Sequence, residues 1–98
     1  MKKVDNELRV VHIPQVGCDK KFTFNVIDEE EANTIILALA TQHLWLFENK
    51  FIPDFANILT VEMYDKTVDE ETNKVFGWVD YFNEEECMDW VEFQNEYF

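Results

Sequence analysis

Two histidines, two cysteines and 21 carboxylates are the side chains of this chain best suited to chemistry, and their spacing argues against catalysis. His12 falls in a β-rich run and His43 on the apolar face of a helical one. A lone imidazole in such a place is more often a buried, hydrogen-bonded core residue than a general base. Cys18 and Cys87 stand far apart, without CxxC or zinc spacing, which fits reduced, buried thiols in a cytoplasmic protein. The chain contains no serine, so serine nucleophiles are excluded. Gly-rich nucleotide loops, HExxH, GxSxG and DxDxDG motifs are absent too. Carboxylates run consecutively at 29–31, 69–71 and 84–86, but consecutive helical residues point about 100° apart and do not converge on a metal. The expectation is a protein with no catalytic residue, no metal and no cofactor, which is to say a binding protein and not an enzyme.

The charge narrows what it would bind. Of 98 residues, 21 are acidic and 8 basic, for a net charge of −13. Residues 1–27 hold five basic and three acidic residues (+2), whereas 28–98 hold three basic and eighteen acidic residues (−15). Direct contact with nucleic acid or an anionic membrane is disfavoured, because phosphate contacts need positive charge. A basic protein surface is the favoured partner. The polar start and the longest hydrophobic stretch, 44–47, give neither a signal peptide nor a membrane span, so a soluble, cytoplasmic protein is expected.

These residues must be positioned by a fold, and the composition supplies one. Hydrophobic residues make up 47% and aromatics 15% of the chain, including nine Phe, which argues against disorder and for one packed domain, 1–98. Residues 8–13 and 22–27 alternate as strands around a hairpin loop at 14–20. Asp28 and Glu31 form a helix-start pair, with residues 29–31 complementing the helix dipole, and the helix should run to about Glu48. Its core face gathers Ala32, Ile35, Ile36, Leu39, His43, Leu46 and Phe47. Leu37 and Leu44, with Asn33, fall outside that face, and Trp45 falls off it on the other flank. Either loop 49–57 or the C-terminal segment covers them, or they form an exposed apolar stripe for a partner or a dimer. Residues 58–64 and 75–82 read as two more strands around a polar loop, 65–74, bent near Gly77. Asn83 and Glu86 repeat the helix-start chemistry for a short last helix. The fold class is therefore α+β, in the order β-β-α-β-β-α: a four-stranded antiparallel sheet with one long helix across a face and a short C-terminal helix.

On a helix beginning at Asn83, residues Glu85, Asp89, Glu92 and Glu96 follow a 4-3-4 spacing and share one face. Neighbouring carboxylates would then stand about 4.5–6 Å apart along the axis, close to the phosphate pitch of a nucleic-acid strand. Asp80 and the acidic loop with Asp69, Glu70 and Glu71 extend that negative surface. In size, acidity, aromatic content and lack of catalytic residues the chain resembles the small acidic proteins of bacteriophages and mobile elements. Some of those are DNA-mimicking, anti-restriction or anti-CRISPR inhibitors.

Two functions of different class follow. The first is an inhibitor whose acidic C-terminal half occupies the basic groove of a nuclease or other nucleic-acid-binding protein. The second is an interaction or assembly module that docks or homodimerises through the apolar residues Leu37, Leu44 and Trp45. A protein that sequesters a small ligand is a third.

Overall fold

The computed structural model describes residues 3–13, 21–50 and 58–98. Four strands form one antiparallel sheet: β1 (Leu8–Ile13), β2 (Phe22–Val26), β3 (Ile58–Asp69) and β4 (Lys74–Asp80), in the spatial order β2-β1-β3-β4. The long helix α1 (Glu29–Glu48) and the short helix α2 (Trp90–Tyr97) complete the expected β-β-α-β-β-α order. A two-stranded hairpin is added before α2, with Phe82–Asn83 as β5 and Met88–Asp89 as β6. The expected loops at 14–20 and 51–57 lie outside the described residues.

Period-two alternation sets the two faces of the sheet. Leu8, Val10 and His12 are buried on one side, in register with Met63, Val61 and Leu59 of β3. Both helices pack on that side. Ala32 and Ile36 of α1 join Val10 and Val61, and Trp90 and Phe93 of α2 close the core around Tyr81. Ring contacts of 5.4 Å between Tyr81 and Trp90, and 5.7 Å between Tyr81 and Phe93, give this end of the core its aromatic content. Burial pushes the Tyr81 hydroxyl up to about 12, so it stays protonated throughout the physiological range.

Helix α1 starts where its capping chemistry says it should. Asp28 is the extended N-cap, and its carboxylate accepts the Glu31 N–H at 2.9 Å. Lys3 bridges Asp28 at 3.1 Å, and together these contacts lower the Asp28 carboxyl below its ordinary range. The helix ends at Asn49, with Lys50 in the left-handed region at φ 62°.

The chain after β4 differs from the sequence reading. The fourth strand stops at Asp80, two residues short of the expected end, although Tyr81 still donates its backbone N–H in register to Val61 at 3.0 Å and turns its ring into the core. The Asn83 side chain does accept the Glu86 N–H at 3.1 Å, but residues 84–87 form a turn and not a helix. Cys87, at φ 54°, reverses the chain. Helix α2 begins six residues later, where Asp89 and Glu92 form a reciprocal capping box. The local signal at Asn83 is a hydrogen-bonded turn shared by both structures, and the pairing of β5 with β6 decides between them.

Candidate functional site

The acidic stripe expected on the last helix is not formed. Glu85 lies in the turn before β6, and Asp89 is the N-cap, with extended backbone. The Asp89 carboxylate accepts the Glu92 N–H at 2.9 Å, and the Glu92 carboxylate returns to the Asp89 N–H at 3.3 Å. Two of the four carboxylates therefore fold back onto the helix end instead of projecting in a row, and Glu96 alone stands on a later turn of α2.

The other predicted acidic residues lie elsewhere. Asp69 ends β3, its carboxylate accepting the Glu71 N–H at 3.0 Å, and Glu70 and Glu71 form the tip of the β3–β4 hairpin. That hairpin is longer than expected, since β3 continues through residues 65–69. It carries exposed Val68, Val75 and Phe76. Asp80 closes β4 opposite Glu62 on the sheet face away from the helices. Among the described residues, no group of three or more His, Cys, Asp or Glu is placed to hold a metal ion.

The sheet face away from the helices has its own cluster. Arg9 bonds Glu62 through two nitrogens, at 2.8 and 2.6 Å, and its guanidinium lies 4.2 Å from the centre of the Trp78 ring. Trp78 in turn meets Tyr64 edge-on at 5.3 Å. Sequence reading missed this group, although the parity of Arg9, Glu62 and Trp78 in three strands was the signal that could have found it.

Helix α1 keeps an outward face without charge. From Ala32 to Phe47 the chain has no Asp, Glu, Lys or Arg, in a protein of net charge −13. Leu37 is 56% exposed, Leu44 43% and Trp45 54%. Asn33, expected beside Leu37 and Leu44, is instead buried and accepts a 2.8 Å hydrogen bond from Gln94 of α2. This bond lies between the two helices; the exposed Val91 lies on α2 and the exposed Phe98 is its C-cap.

Three titratable side chains are buried in the fold: His12, Glu29 and His43. His12 and His43 are both buried, their rings 6.2 Å apart and edge to face, with Phe22 also against His12. Burial lowers the His12 pKa, and the neighbouring His43 adds to the effect. No described group pairs with the His12 Nε2. Glu29 is fully buried under the helix start. Its one bonded oxygen accepts the Val4 N–H at 3.2 Å, and burial raises its pKa. Cys87 is exposed, not buried, and Cys18 lies outside the described residues. No helix among the described residues is long and apolar enough to cross a membrane.

Comparison with known proteins bears on this arrangement. The model of one protein family, described as superinfection exclusion gene product 17, matches residues 7–98. The superinfection exclusion protein of Salmonella phage P22 is 31% identical over 87 residues, covering 85% of this chain and 84% of that protein. No solved structure matches the chain. These findings overturn the expectation of a DNA-mimicking, anti-restriction or anti-CRISPR inhibitor of a nuclease. The bacteriophage character read from the composition points the right way, but to exclusion of superinfection. The broken acidic stripe removes the geometric ground for the mimicry as well.

Proposed function

Because the chain belongs to the superinfection exclusion gene product 17 family, we propose that it serves superinfection exclusion, blocking a second phage from an already infected cell. The observation behind this reading is coverage. The family match takes in every strand and helix described, and the P22 protein aligns over most of both chains. We further propose that it acts without catalysis, in the host cytoplasm, by binding a protein with a basic surface. The outward face of α1 supports that reading. Leu37, Leu44 and Trp45 offer apolar contact area, while Glu30, Glu31 and Glu48 at the two ends of the helix supply the rim charge that steers a positive partner.

The test is expression in a phage-sensitive Salmonella strain challenged with a panel of phages. Reduced plaque formation by at least one phage is expected, with normal growth of uninfected cells. Full plaquing by every phage, with folded protein verified in the cells, would count against the proposal.

A further inference from the structure

We propose that β4 is the self-association edge of this protein, pairing antiparallel with β4 of a second copy about a two-fold axis through Gly77. The edge is unpaired among the described residues, where β4 has β3 on one side and no strand on the other. An open edge of this kind presents a row of backbone donors and acceptors. Which residues present them follows from the ladder. The Tyr81 N–H bonds Val61, so by antiparallel alternation Val79 and Gly77 also turn their backbone groups toward β3. Trp78 and Asp80 then turn theirs outward. Phe76 has no partner residue in β3, where the register shifts between Asp65 and Val68.

The order of side chains along that edge is self-complementary. Centred on Gly77, an antiparallel copy sets Lys74 against the second copy's Asp80, Val75 against Val79, and Phe76 against Trp78. The parity agrees, because Trp78 and Asp80, with outward backbone groups, meet Phe76 and Lys74 at positions of the same alternation. Trp78 and Asp80 share the sheet face away from both helices, while Lys74 and Phe76 lie across Gly77, whose φ of 77° bends the strand between them. At the axis the strands meet at a non-hydrogen-bonded position, where the Cα atoms approach to about 4.5 Å, and glycine leaves that space empty.

Charge supplies the second argument for a copy of this chain as occupant. Asp80 stands beside Glu62 across the ladder, and the guanidinium of Arg9 is committed to Glu62. Neither Lys74 nor Asp80 takes part in an ion pair among the described residues, and both are exposed. The second copy brings a lysine to Asp80 and an aspartate to Lys74, twice by symmetry. Val75 and Phe76, about half exposed in the single chain, gain cover in the same step. Repulsion between two chains of −13 opposes the contact, so it is best measured at 0.15 M salt or above.

The experiment is sedimentation equilibrium of the full chain and three variants, each checked for fold by circular dichroism. The wild-type chain is expected to dimerise. Lys74→Asp and Asp80→Lys should each weaken the dimer about tenfold or more, since each replaces two opposite-charge cross-strand pairs by like charges. The double variant Lys74→Asp/Asp80→Lys should recover to within about threefold of wild type, because the pairs are restored with their signs exchanged. A chain that stays monomeric at millimolar concentration overturns the proposal. So does a dimer that both single variants leave intact, which would place the contact on β2 or α1. This readout is independent of phage exclusion, so the two proposals can fail separately.

Discussion

The side-chain amide of Gln94 donates to the side-chain oxygen of Asn33 at 2.8 Å, linking helices whose contacting residues are 61 positions apart. Asn33 is buried, so its oxygen depends on that partner. Substituting Gln94→Ala strands a buried acceptor, at a cost of about 1–3 kcal/mol. Chemical denaturation should show that loss for Gln94→Ala and a smaller one for the double variant Asn33→Leu/Gln94→Leu. If Asn33→Leu and Gln94→Leu, made singly, summed to the loss of their double variant, the bond would hold nothing.

Asp89 and Glu92 give a prediction that separates shape from charge. Their reciprocal bonds cap α2, so Asp89→Ala should cost about 1 kcal/mol of stability. Asp89→Asn should be nearly neutral, because asparagine caps as well as aspartate. Thermal melts of the two variants decide the matter. A large loss in Asp89→Asn would show that the negative charge itself is needed.

How much of this was legible beforehand differs along the chain. Strand β1 and helix α1 fall where the alternation and the Asp28 cap place them, because both signals are local. The end of β4 is not local. Tyr81 turns its ring onto Trp90 and Phe93, and nothing in the immediate sequence announces that contact. Asn83 has cap chemistry and makes a cap-like bond, yet the tertiary pairing of β5 with β6 turns that bond into a turn. The acidic stripe was an arithmetic result of starting the helix six residues early. Leu37, Leu44 and Trp45 were recognised as lying off the core face, whereas the burial of Asn33 depends on Gln94, far away in sequence.

Acid should act on the buried histidine pair. The His12 pKa is lowered in the fold, so the unfolded chain binds the proton more readily. The stability this group contributes is present above the ordinary histidine value of 6.5 and is lost as pH falls through its lower folded value. Denaturant midpoints should therefore fall between pH 7 and pH 5, and His12→Phe should flatten that slope. A wild-type and variant profile of equal slope would remove His12 as the cause.

Glu29 runs in the opposite direction. Burial raises its pKa above 4.5, so its favourable contribution is present below that value and is lost as pH rises through the folded one. Burial disfavours the ionised form of this carboxylate. Glu29→Gln keeps an oxygen for the Val4 N–H and removes the charge. The variant should melt higher than wild type at pH 7, and the gain should vanish near pH 4. A lower melting temperature at pH 7 would mean that Lys3 and the helix start offset the burial of the charge.

The outward face of α1 offers the sharpest division between fold and function. Leu44 and Trp45 are 43% and 54% exposed, and neither belongs to the core cluster. Exposed positions away from caps and buried networks usually tolerate substitution within about 0.5 kcal/mol. Leu44→Asp, and Leu37→Asp at the 56% exposed Leu37, should accordingly leave the melting temperature of the isolated protein close to wild type. On a contact surface the same changes place a carboxylate where apolar area is buried, with a cost of several kcal/mol in binding expected for an unpaired buried charge. Phage exclusion should then be lost while soluble expression is kept. Variants that fold and still exclude phage would move the contact away from α1, leaving the protruding β3–β4 hairpin, with exposed Val68 and Phe76, as the next surface to change.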